Sequence, residues 1–249
     1  MKCNLKIGWL YPELMNIYGD RGNIIVLEKR CEWREIETEV LMLNVGFSEA
    51  KLTECDIFIM GGAQDKQQKA VAHDLSKKKN ILRKMIRQGI PGLYICGAYQ
   101  FLGKYYEEAN GEKIPGLGIF DLFTKNPGET HPRLIGNLAF ESSALNYRLL
   151  GFENHGGRTY LGKNIEPFGK IIKGYGNNGE DKTEGARYKN SFGTYLHGPI
   201  LPKNPLFADY LIEKSLEIKY KEKISLKKLD DSLEEKARIA IAKRLSVAI

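Results

Sequence analysis

The sequence predicts an α/β fold, a largely parallel central sheet with helices on both of its faces. Short, continuously apolar runs alternate with amphipathic stretches through about the first hundred residues. Strands buried on both faces read this way, whereas one-sided strands alternate polar and apolar. Two of these runs end in small residues, Gly61–Gly62 and Cys96–Gly97–Ala98, as strands that turn sharply into a following segment do. The chain is also long enough, at 249 residues and 42% hydrophobic, to bury a sizeable core.

The elements follow in order. LKIGWL (5–10) is a strand, and DRGNIIVLEKRCEWREI (20–36) a helix whose first turn Asp20 can cap. TEVLMLNV (38–45) is strand-like, and CDIFIMGG (55–62) is an apolar run closed by two glycines. Ile81, Leu82, Met85 and Ile86 recur at helical spacing until Gly89 and Pro91 end the helix. LYIC (93–96) is the next buried strand, and AYQFLGKYYEE opens another helix. From about residue 112 to 200, glycine, proline and short β-prone pieces dominate, expected to be strands and long loops that continue the same sheet. The tail from about 206 is helical, and LKKLDDSLEEKARIAIAKRL (226–245) forms an amphipathic helix. With no internal repeat or linker, one domain over 1–249 with this helical tail is expected.

Composition narrows the function classes. The net charge is +7, but the lysines are scattered. Their densest run, SKKKN at 76–80, reads as a solvated junction between helices, and no nucleic-acid module accompanies it. No apolar run reaches the roughly 18–20 residues that span a bilayer, so no membrane insertion is expected. The start, MKCNLKIGWLYPELMN, lacks a signal-peptide core. Four cysteines without a CxxC argue against a zinc site or a disulfide framework and fit a reducing cytoplasm.

The chemistry gathers at PGLYICGAYQFLG (91–103). A cysteine at a strand end is as a rule packed core. Here Gly97 and Ala98 follow at once, and small side chains let a strand turn into a helix with the sulfur on the corner, the device of serine hydrolases. The turn sets the thiolate at a helix N-terminus, which favours the charged form. The Gly97 amide would face an oxyanion beside the sulfur, and Gly61–Gly62 is the candidate second donor. Such a nucleophile needs a base. His73 reads as solvated and His131 as a loop residue, while His155 and His197, both flanked by apolar residues and glycine, divide the candidacy evenly. GRTYLGKN (157–164) approaches a phosphate loop, but Asn164 replaces the hydroxyl and the segment is β-prone, so it is a chance match.

ICGAYQFLG, GTYLHG, GFENHGGRT and MNIYGDRGN together resemble the class I glutamine amidotransferases, in the cobyric acid synthase-like branch and nearest the GatD-type glutaminase subunits of lipid II isoglutaminyl synthases. The resemblance runs from Leu5 to about residue 210. It implies a flavodoxin-like class I glutaminase fold and a subunit that hydrolyses L-glutamine to glutamate and ammonia. A Mur-ligase-like (MurT-type) partner in a heterodimer would hold ATP and Mg, receive the ammonia and amidate the D-glutamate α-carboxyl of lipid II. It implies no cofactor or metal in this chain. Carried over by residue, Cys96 is the nucleophile, His197 the base, Arg133 the clamp on the glutamine carboxylate, and Gly62 and Gly97 the backbone oxyanion donors. Two departures stand out. The flanks of Cys96 are Tyr94 and Ala98 instead of glycines, and Gly198–Pro199 follow His197 where an orienting acid is usual. The partner is therefore expected to supply that acid. The alternatives are a cobyrinate-type glutaminase, a stand-alone cysteine hydrolase and, outside enzymes, a regulatory binding module, which would leave Cys96 insensitive to glutamine-like electrophiles.

Overall fold

The computed structural model describes residues 3–63 and 65–249, with every side chain among them except those of residues 65, 66 and 69. The first half of the chain builds the sheet that carries the site: β1 (Asn4–Leu10), α1 (Arg21–Glu32), β2 (Glu37–Leu43), β3 (Ile57–Met60), α2 (Asp65–Lys77), α3 (Lys79–Arg87), β4 (Gly92–Ile95) and α4 (Gly97–Leu102). β3 and β4 are buried along their whole length, as their unbroken apolar sequence requires. Each large side chain so buried contributes about 1.5–3 kcal/mol. α3 turns Leu82, Met85 and Ile86 inward, the spacing that marked it as a helix.

SKKKN does join two helices, but Lys78 is not solvated. It is 5% exposed, pairs with Asp74 at 2.8 Å and lies 4.5 Å from the centre of the Phe47 ring. Its stem fills an apolar gap while a buried carboxylate matches its charge. α4 is shorter than the sequence suggests. Gly103 adopts an extended conformation (φ −72°, ψ −175°), and the chain leaves the helix for the next strand.

Short strands follow: β5 (Tyr105–Glu107), β6 (Lys113–Pro115), β7 (Leu122–Lys125), β8 (Leu134–Ser142), β9 (Tyr147–His155), β10 (Arg158–Leu161), β11 (Gly169–Lys173), β12 (Thr183–Glu184), β13 (Ala186–Tyr188), β14 (Ser191–Thr194) and β15 (Leu196–His197). The chain ends with α5 (Pro205–Tyr220) and α6 (Ser232–Leu245). The central sheet has the order β13-β14-β4-β3-β1-β2, parallel except for the β13–β14 pair. The expectation of a largely parallel α/β sheet therefore holds. The middle region, however, does not simply extend it. Only β13 and β14 join the central sheet, and the rest form two separate sheets, β10-β7-β5-β6 and β12-β11-β8-β9-β15. The second is organised by the long β8–β9 antiparallel pair, which packs Leu138, Phe140 and Leu149 into the main core and Ala139 and Leu150 against Ala242 and Leu245 of α6, and pairs β15 on its edge.

Two consequences bear on function. β3 and β4 end side by side at Gly61–Gly62 and Cys96, and β15 brings His197 toward the same end. Among the described residues, no helix is long and apolar enough to cross a membrane.

Candidate active site

Cys96 sits on the corner between β4 and α4 with φ +53° and ψ −106°, a conformation that L residues seldom adopt. Holding it there costs about 1–3 kcal/mol. The surroundings impose it: the Cys96 N–H donates to Thr194 O at 2.8 Å, continuing the β4–β14 ladder, and its carbonyl already accepts from the Gln100 N–H. A Cβ on Gly97 would lie 2.9 Å from Gln68 Nε2, so a small residue after the cysteine lets the corner close. Cys96 is thus held on a tight turn and is 8% exposed.

His197 is fully buried against it. Its pKa is pushed up to about 9. Burial works to lower it, but the charge of the Cys96 thiolate and the Asp20 carboxylate outweigh that. Asp20 Oδ1 stands 3.8 Å from His197 Nδ1, ion-pair range and longer than a hydrogen bond, and Asp20 is itself 1% exposed. The Tyr18 ring tilts over the imidazole with centroids 4.7 Å apart. The Cys96 thiol, the His197 imidazole and the Asp20 carboxylate are thus electrostatically coupled.

Three expectations change here. Asp20 occupies the N-cap position of α1 but makes no capping bond, because its Oδ2 accepts the Gly62 N–H at 2.8 Å. An acid is therefore present beside His197 in this chain, where the sequence suggested that a partner would lend one. Gly62, whose N–H is committed to Asp20, is not free to donate to an oxyanion as placed. The next residue, Ala63, lines the cavity, and its N lies 3.5 Å from where a Gly97 Cβ would stand, so the Ala63 and Gly97 backbones approach each other beside Cys96. Gly61 must be glycine for this packing: a Cβ there would come within 2.6 Å of both Met15 O and Asp20 Oδ2.

Cys96 and Arg133 share a cavity of about 420 Å3, while His197, Gly62 and Gly97 lie outside its lining. Tyr18, Gln68, Gln100, Asn126, Asn154 and His155 also line it. The exposed Arg133 donates from Nε to Asn154 Oδ1 at 2.9 Å and from Nη2 to Asn154 O at 3.0 Å. Asn154 Nδ2 in turn donates to the Tyr18 hydroxyl at 2.8 Å. His155, the other histidine of the even division, lines the cavity wall. Its Nδ1–H donates to Gly157 O at 2.8 Å, its ring stacks on Tyr195 at 3.6 Å, and burial pulls its pKa down. His73 and His131 are exposed. Sequence reasoning passed over Asp20 and Tyr18 as site residues although both lie inside MNIYGDRGN, and over Asn154 beside His155.

The sequence profile of the CobB/CobQ-like glutamine amidotransferase domain matches residues 6–205. The chain is similar to subunit GatD of the glutamine-hydrolysing lipid II isoglutaminyl synthase of Staphylococcus aureus (strain N315), 46% identical over 215 residues that cover 86% of each chain. To the subunit of the same name in Streptococcus pneumoniae (strain ATCC BAA-255 / R6) it is 40% identical over 233 residues, 93% of this chain and 88% of that one. Cobyric acid synthase of Listeria innocua is 32% identical over 69% of this chain but only 35% of that protein. Among solved structures, a glutamine amidotransferase superposes with a TM-score of 0.58 at 16% identity, over 84% of this chain and 98% of that one. The glutaminase domain of Trypanosoma brucei CTPS with bound acivicin gives a TM-score of 0.51 at 9% identity, over 90% and 96%. At such identities these two likenesses are of fold.

Proposed function

Because the chain belongs to the CobB/CobQ-like glutamine amidotransferase family, we propose that it is the glutamine-hydrolysing subunit of a lipid II isoglutaminyl synthase. The observation that carries the chemistry is the strained Cys96 corner, with buried His197 and Asp20 behind it and Arg133 in the same cavity. The pathway assignment rests on the two isoglutaminyl synthase relatives, similar over most of both chains, where the cobyric acid synthase is matched over about a third of its length.

The Cys96 thiolate attacks the side-chain carbonyl of L-glutamine, whose α-carboxylate is clamped by Arg133. The Ala63 and Gly97 amides take the tetrahedral oxyanion; one such donor is typically worth about 2.7–4 kcal/mol of barrier. Protonated His197, its charge favoured by Asp20, gives its proton to the leaving nitrogen, and ammonia departs from a γ-glutamyl thioester. Neutral His197 then takes a proton from water, which attacks the thioester and releases glutamate and the Cys96 thiolate. A Mur-ligase-like partner that holds ATP and Mg receives the ammonia and amidates the D-glutamate α-carboxyl of lipid II. The ATP and Mg sites belong to that subunit.

The test is ammonia release and acceptor amidation by the chain assembled with its ligase partner, with Cys96→Ala alongside. Both activities should vanish in Cys96→Ala, while amidation from added free ammonia should survive. Glutamine-dependent activity that persisted without the Cys96 thiol would overturn the assignment.

A further inference from the structure

The reach and exposure of Arg133 pose a problem for its proposed role. A long, exposed side chain samples many rotamers, and a ligand that clamps it must bear the cost of ordering it. The structure removes much of that freedom in advance. A guanidinium has two forked edges: a side-on edge made by Nε and the neighbouring Nη2, and an end-on edge made by Nη1 and Nη2. Asn154 takes the side-on edge whole, Nε through Oδ1 at 2.9 Å and Nη2 through its backbone oxygen at 3.0 Å. The end-on edge is left for a carboxylate. Nη1 lies 3.4 Å from where a Cβ on Gly156 would stand, and the missing side chain keeps room beside it. Asn154 is held in turn, since its Nδ2 donates to the Tyr18 hydroxyl, and the Tyr18 ring covers His197.

We propose that Asn154 is a positioning residue that presents the end-on edge of Arg133 to the α-carboxylate of the amide substrate, braced by Tyr18. This rests on the glutaminase reading and extends it to a residue that makes its contribution through another. Its signature is in ground-state binding of a zwitterionic amino acid, not in the chemical step.

The experiment measures L-glutamine binding by calorimetry or NMR titration to the full chain carrying Cys96→Ala, which cannot turn it over. Asn154→Ala and Arg133→Ala are added singly and together. Asn154→Ala should weaken binding about tenfold, the upper end of what ordering one rotamer-rich side chain costs. In the Arg133→Ala background it should change binding less than twofold, since the residue it orients is gone. Tyr18→Phe removes one exposed hydroxyl and should weaken binding in the same Arg133-dependent way, which keeps the test open if Asn154→Ala folds poorly. Equal weakening with and without Arg133, or no weakening in any variant, overturns the proposal and leaves the glutaminase reading standing. A Cys96→Ala chain that binds no glutamine at all sinks both.

Discussion

His197 sets the pH behaviour of the site. Its pKa lies near 9 because the Cys96 thiolate, then Asp20, overcome the lowering that burial imposes. A raised histidine pKa means that the folded chain holds the proton more tightly than the unfolded one. The resulting stability is complete below about 6.5, the ordinary histidine value, and is lost as pH rises through about 9. Following the His197 ring by NMR should give a midpoint near 9 in the full chain. The midpoint should fall on Cys96→Ala and, by less, on Asp20→Asn; one that stayed in place in Cys96→Ala would mean that the sulfur is not the group facing the ring. Of these residues, Cys96 was visible in the sequence because small residues after a strand-end cysteine have one economical geometry. Asp20 was misread because local rules see only its neighbours. An aspartate just before a helix looks like a cap, and nothing nearby tells that the buried Gly62 N–H, donated across from the end of β3, needs an acceptor more.

At the scale of elements, the clamp that fixes the C-terminal helices is Arg30 on α1. It is 2% exposed and reaches Asp209 on α5 at 2.6 Å and Asp231, just before α6, at 2.6 Å, while Arg34 also meets Asp209 at 2.7 Å. Burial opposes the Arg30 charge, and the two carboxylates more than restore it. Arg30→Met keeps the stem but leaves the partly buried Asp231 without its cation and Asp209 with Arg34 alone. Breaking buried pairs costs about 3–5 kcal/mol, and the partial exposure of both aspartates puts the expectation at the low end, about 3 kcal/mol in urea unfolding. Loss of less than about 1 kcal/mol would show that the cluster is a surface ornament. The same cluster explains a shifted boundary. The amphipathic pattern suggested a helix over 226–245, yet α6 begins at Ser232, with Asp231 drawn to Arg30 and Asp230 accepting the Ser232 N–H at 3.0 Å. The first hundred residues were legible because parallel strands announce themselves by burial on both faces. The middle was not, because a short β-prone segment does not say which sheet it joins. The β8–β9 hairpin pairs along the full length of both strands and so stands at the centre of a sheet separate from the parallel one.

For the whole molecule, the question is what assembly adds to the chemistry. Gly198–Pro199 after His197 pointed to an acid lent by a partner, which would leave the isolated chain crippled. Loss of an orienting carboxylate costs on the order of 10^4 in turnover in a comparable triad. In this chain the loop before α1, the ends of β3 and β4 and the strand β15 bring Asp20, Ala63, Cys96 and His197 together within one polypeptide, and the proposed mechanism takes Asp20 as the orienting acid. The isolated chain should therefore release ammonia from glutamine in a Cys96-dependent way, at a rate within about a hundredfold of the complex, well short of the deficit of a missing acid. Asp20→Asn should lower turnover by about a hundredfold or more in the chain alone and in the complex alike, with little change in KM, because it acts on the proton carrier and not on the Arg133 clamp. If the isolated chain were silent and the complex indifferent to Asp20→Asn, the acid at work would be the partner's, and the 3.8 Å contact between Asp20 and His197 would be packing alone.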